Sequence, residues 1–266
     1  MAIIALSLAI TSGGCSKDHS QIPNEYSLVK DIVAELAQNN DLGDKRLVFS
    51  IVTGYRASDL ALDLGLCKKQ DGCNYFAQLN PFHDYNNPSY KEIIRQSNVY
   101  GNVNGYASSN GTIEIPLATF RILEGKKNYL VCTIAHEIAH VIDSHHFKHT
   151  KELYELAANK SEEEEEKISN KISRKYELVA DAMATEMSVR SGYSKQDCID
   201  SLRFMHEVSG DSGRTDDSST HPDLAERIKN LSEKDFSSLV SKVEKYGVGE
   251  WAYNKEDNFI LYTPQS

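Results

Sequence analysis

The stretch Thr133-Ile134-Ala135-His136-Glu137-Ile138-Ala139-His140-Val141 constrains this chain more than any other. It places an H-E-x-x-H pattern inside an apolar run, with Leu130, Val131, Ile134, Ile138, Val141 and Ile142 recurring at helical spacing. Residues four apart share one face of an α-helix, so the two imidazoles can reach a single Zn²⁺ at roughly 2.0–2.1 Å each. Glu137 then lies beside the metal rather than on it, where a carboxylate can take a proton from an attacking water. The competing reading is a chance match among nine histidines. A helix that buries its opposite face so fully rarely leaves two histidines idle, and the metal reading is the stronger one.

The 266 residues suffice for one sizeable domain, or one domain with an appendage. A net charge of −10 and a pI near 5.4 exclude the basic surface of a nucleic-acid-binding protein. Ala2 to Ile10 form an apolar run too short to span a bilayer but suited to a signal-peptide core. Small residues then precede Cys15, so residues 1–15 predict a lipoprotein-type signal with a lipid on Cys15 as the only membrane contact. Residues 16–25 are polar and read as a tether. Export permits disulfides among the remaining cysteines, and Cys67 with Cys73, enclosing a Gly-containing turn, is the favoured pair. Cys132 and Cys198 are either a second pair or two buried thiols.

Along the chain, helices are expected from about Glu25 to Ala37 and from Asn128 to Ser144. Leu47 to Val52 suggests a strand and Ala57 to Leu64 a helix, while Asn80 to Tyr90, with His83, reads as loop. Asn110-Gly111 signals a two-residue hairpin turn between Asn104 and Ile115. Ser161 with Glu164 forms a capping-box pattern, opening a long helix that stops at Gly192 and buries Ile168, Ile172, Val179, Met183 and Met187. Ser194 caps the next helix. Helices from Asp223 to Leu231 and from Glu233 to Tyr246 follow, and Trp251 to Tyr262 suggests a strand pair. His145, His146 and His149 follow the H-E-x-x-H helix. They suit the negative end of its dipole, with a second metal site as the less favoured reading.

A catalytic zinc usually takes three protein ligands and leaves one position open. Glu177, mid-helix, is the candidate third ligand, and Asp181 one turn on can accept the free ring N–H of a ligand histidine. Alone, the two would read as ordinary exposed acids at helical spacing. Together with H-E-x-x-H they resemble the HtpX-like and CAAX-prenyl-protease-like family of zinc metallopeptidases, within the gluzincins. The residues that carry the resemblance are His136, Glu137, His140 and His145; Glu177 and Asp181; Thr220-His221-Pro222; and Arg227-Ile228. Asn104 to Ile115 is similar to the family's strand segment, with Gly105 where Ala is common.

The resemblance implies an α+β, mostly α-helical, zincin-like fold with a small β-sheet beside the H-E-x-x-H helix. The peptidase domain would span 26–232, with the helix and tail of 233–266 packed on it. It implies one Zn²⁺ per chain held by His136, His140 and Glu177, with Glu137 as general base and Asp181 behind the ligands. Substrate would add as a β-strand to Gly111, Thr112, Ile113, Glu114 and Ile115. His221 is either a fourth ligand or oxyanion stabiliser, or a loop-anchoring residue beside Pro222. The expected function is a zinc endopeptidase of the bacterial periplasm, anchored to the outer membrane, acting on unfolded or misassembled envelope proteins. The alternatives are a zinc-bound chaperone with little proteolysis and a secreted peptidase.

Overall fold

A computed structural model describes residues 22–68, 78–100, 103–209, 215–239 and 246–265. The signal segment, Cys15 and Cys73 lie outside these residues. The fold is mostly helical around one five-stranded sheet, as expected. Helix α1 (Asn24–Asn39) leads into strand β1 (Leu47–Val52), followed by α2 (Tyr55–Asp63) and α3 (Pro88–Tyr100). Strands β2 (Tyr106–Ala107) and β3 (Thr112–Pro116) come next, then α4 (Leu117–Ile122), α5 (Lys127–Ile142) and α6 (His145–Leu156). The long α7 (Glu162–Arg190), α8 (Lys195–Ser209) and α9 (Leu224–Ser232) precede β4 (Glu250–Asn254) and β5 (Phe259–Thr263).

The sheet order is β2-β3-β1-β5-β4, with β1 and β3 parallel and the other neighbours antiparallel. Its inner face buries Phe49, Ile51, Ile113, Ile115, Ile260 and Tyr262 against Val29 and Leu36 of α1 and Ile134 and Ile138 of α5. The apolar face of α5 therefore does what its periodicity predicts. It anchors the histidine-bearing face on a rigid layer.

β1 and β5 pair only from Leu47 to Phe49, so the backbone of Ser50 and Ile51 needs other partners. Asn258, with a left-handed φ of 54°, donates its amide to Ile51 O and takes the Ser50 hydroxyl on its carbonyl. The Tyr26 hydroxyl accepts the Ile51 N–H at 2.9 Å and donates to Asn258 O at 2.6 Å. Tyr26→Phe is expected to lower stability by about 1–3 kcal/mol, since it leaves a buried donor unmet. An unchanged denaturation midpoint would show that water replaces the hydroxyl.

Four expectations need correction. The hairpin turn has three residues, not two: Ser108 N–H reaches Thr112 O at 2.8 Å, and Gly111 takes the left-handed φ of 86°. A Cβ on Gly111 would also meet Arg46 O at 3.0 Å. The 80–90 loop ends early, because Pro88 starts α3, a position where its missing N–H costs nothing. The buried stripe of α7 is Ile172, Tyr176, Ala180, Ala184 and Met187, with Val179 and Met183 only half-buried. Small residues there let α7 approach α5 closely. The helix expected from Glu233 is, over its described part, one 3₁₀ turn at Ser237–Leu239. Asp235 captures the Ser237 N–H at 2.9 Å and turns the chain instead.

Candidate metal centre

α5 presents His136 and His140 toward α7, and α7 presents Glu177 back. The three side chains each offer a ligand atom, and these atoms lie within 4.8 Å of one another. The His136 and His140 Nε2 atoms are 3.1 Å apart, and Glu177 lies 3.3 Å from the first and 3.4 Å from the second. The capping box at Ser161 and Glu164 is present and starts α7 four turns before Glu177. Glu177 Oε2 is buried with no hydrogen-bond partner. A carboxylate oxygen is costly to leave so unless a cation faces it. Two imidazoles, one carboxylate and an adjoining cleft of about 340 Å³ fit a zinc that keeps an open position.

Each histidine is oriented from behind. Asp181 Oδ1 lies 3.0 Å from His136 Nδ1, and Arg227 from α9 holds the same carboxylate with two bonds at 2.7 and 2.5 Å. His140 Nδ1 lies 3.0 Å from His145 Nδ1, whose Nε2 is 2.9 Å from Asp143 Oδ2. Burial pushes His145 down to about 4, so its ring is neutral. With His145 donating to Asp143, it accepts from His140 and leaves His140 Nε2 as a lone pair for a metal.

A corner sets this up. Ser144 turns the chain at a φ of 55°, and Lys45 donates to Val141 O at 2.8 Å and to Ser144 Oγ at the end of α5.

Burial opposes charge on His136, but the Asp181 and Glu177 carboxylates beside it outweigh that and raise it to about 10. Burial likewise opposes the Glu177 charge, and His136 and His140 overcome it, holding the carboxyl well below its ordinary value. Glu137 differs. It is buried, and burial raises its carboxyl to about 7, against the pull of His136 and Arg227. Gly105 makes room for it: a Cβ there would stand 2.6 Å from Glu137 Cγ.

Residues 162–235 match the model of Peptidase family M48. This match is consistent with membership of that metallopeptidase family and bears out the resemblance read from the motifs. It spans α7 to α9, with Glu177, Asp181, His221 and Arg227, while α5 lies before it. Only the fold brings the H-E-x-x-H helix of α5 against that M48 segment. No curated protein and no solved structure matches the chain significantly.

His221 stands at the rim, 54 % exposed, with Nε2 3.7 Å from Glu177 Oε2 and Nδ1 3.0 Å from the Thr220 hydroxyl. His146 and His149 bond to the carbonyls of Ala107 and Ser169 and join no metal-ligating group among the described residues. His83 is exposed and packs edgewise on Tyr85. Arg227 and Gly105 were legible only as motif positions. Their roles depend on who faces them.

The expected strand for substrate needs correction. β3 is paired on both sides, with β1 from Thr112 to Pro116 and with β2 at Ile113 and Glu114, and Gly111 belongs to the turn. The edge facing the cleft is β2.

Cys132, one turn before His136, is disulfide-bonded to Cys198 of α8. Cys67 is also in a disulfide. The Cys132–Cys198 link spans 66 residues and ties α8 to the metal-bearing helix. Replacing both cysteines by alanine is expected to lower stability by about 2–4 kcal/mol in chemical denaturation. No change in midpoint would show that packing alone holds α8.

Proposed function

We propose that this protein is a zinc-dependent endopeptidase of the bacterial cell envelope, acting on unfolded or misassembled envelope proteins. The observation that carries the peptidase reading is the convergence of His136, His140 and Glu177, whose Oε2 has no hydrogen bond, beside the buried Glu137. The Peptidase family M48 match supports it. The envelope location rests on the signal-like residues 1–15 and Cys15. Quality control rests on the family resemblance.

A zinc held by His136, His140 and Glu177 would supply Lewis acidity for a scissile carbonyl and for a water whose pKa falls to about 7 in such sites. Asp181 and His145 hold His136 and His140 with their Nε2 atoms toward each other and Glu177, so little reorganisation would be needed to bind a metal. Glu137 takes the proton from the attacking water and delivers it to the leaving amine. A carboxyl poised near 7 suits both halves of that transfer. The extended substrate runs along β2, where backbone bonding reads the chain irrespective of most side chains.

The test compares wild type with Glu137→Gln for zinc by elemental analysis and for casein cleavage by gel. Zinc in both with cleavage only by wild type supports the reading. Absence of zinc from both rejects it.

A further inference from the structure

We propose that His146 is a plug on the substrate edge of β2, displaced when an extended polypeptide docks. This rests on the peptidase reading above and concerns how the same site is kept closed.

The register of the hairpin decides which backbone groups of β2 are available. Ser108 N–H bonds Thr112 O, and Tyr106 opposes Glu114 and Ala107 opposes Ile113. In an antiparallel pair, hydrogen-bonded and non-hydrogen-bonded positions alternate. The Ser108 N–H and the backbone groups of Tyr106 therefore face β3, and the Ser108 carbonyl takes the Gly111 N–H in the turn, whereas Ala107 points its N–H and C=O away from β3. Ala107 is the one residue of this two-residue strand with backbone groups on the free edge.

The acceptor of the pair is already engaged. The Ala107 carbonyl accepts a hydrogen bond from His146 Nε2 at 2.8 Å. An incoming strand needs this acceptor, so it competes with His146 for it. His146 is well placed to yield. It sits in the first turn of α6, two residues past the Ser144 corner, and is exposed, with its ring edge-on to the exposed Tyr106 at 6.5 Å.

The test measures binding of fluorescein-labelled casein to zinc-loaded Glu137→Gln protein, which is expected to cleave too slowly to disturb the titration. Adding His146→Ala is expected to tighten Kd about three- to tenfold, the equivalent of one competing hydrogen bond. Adding His146→Gln, which keeps a side-chain N–H donor, is expected to leave Kd near the parent value. A Kd unchanged or weakened by His146→Ala overturns the plug.

A second measurement needs no change at His146. With ¹⁵N-labelled histidine, casein is expected to move the His146 Nε2 resonance to that of a solvent-exposed ring, and an unmoved resonance overturns the proposal. Casein cleavage by wild type separates the two levels. Cleavage with no His146 effect removes only the plug, whereas no zinc and no cleavage removes the peptidase reading. No casein binding by any variant overturns the plug together with substrate entry at β2.

Discussion

Glu137→Gln is expected to lower casein cleavage by about 10²–10⁴-fold while leaving zinc content at the wild-type level. The amide keeps the shape of the side chain beside Gly105 but cannot accept the proton of the attacking water. The same substitution is expected to stabilise the metal-free protein, and only at high pH. Burial raises the Glu137 carboxyl from 4.5 to about 7. Below pH 4 the group is protonated in both folded and unfolded chains and contributes nothing. Above pH 7 the folded state must hold a buried charge that the unfolded chain solvates, a cost of about 3 kcal/mol. Glutamine carries no such charge, so the Tm of metal-free Glu137→Gln should exceed that of wild type at pH 8 and equal it at pH 4. Equal values at both would show that Glu137 is ionised at no cost, and that its burial is not what tunes it.

Arg227→Met is expected to cost about 3–5 kcal/mol at neutral pH, because it strands the buried Asp181 carboxylate without its cation. Asp181 is 4 % exposed, and although burial favours its neutral form, Arg227 and His136 hold its carboxyl below the ordinary 3.8. A depressed carboxyl contributes stability above its unfolded value and loses it as pH falls through the folded one. The penalty of Arg227→Met should therefore shrink toward pH 3, where Asp181 takes a proton. Zinc affinity should fall about 10–100-fold, since Asp181 then no longer fixes the His136 ring. Asp181→Asn in the same chain should restore much of the stability and none of the affinity. Calorimetry and a competitive zinc chelator read the two effects separately. A single variant that moves neither would place Arg227 outside the structural support of the site.

The local part of this protein was open to inspection in its residues. α5 is visible as an apolar stripe with two histidines one turn apart. The start of α7 is visible as Ser161 and Glu164, and the start of α8 as Ser194, whose hydroxyl accepts the Asp197 N–H at 3.0 Å. These features depend on contacts three or four residues apart, where spacing alone determines geometry. Failures arose where a distant partner competes. Val179 and Met183 are more apolar than Ala180 and Ala184, yet α7 turns its small residues inward because α5 must come close. β3 alternates like a strand open to a guest, yet β1 and β2 occupy both its edges.

By itself the sequence determined the elements and the donor types: two histidines on one helical face, an acid beside the first, and a second helix bearing Glu177 and Asp181. The tertiary structure decided what those groups face. It set Asp181 between His136 and Arg227 across 46 residues, His145 behind His140 through the Ser144 corner, and Glu137 against Gly105. The physical reason is that hydrogen-bond partnership and burial are relations between elements. A side chain carries its chemistry along the chain, but its charge, tautomer and access to substrate are set by neighbours that packing alone brings together.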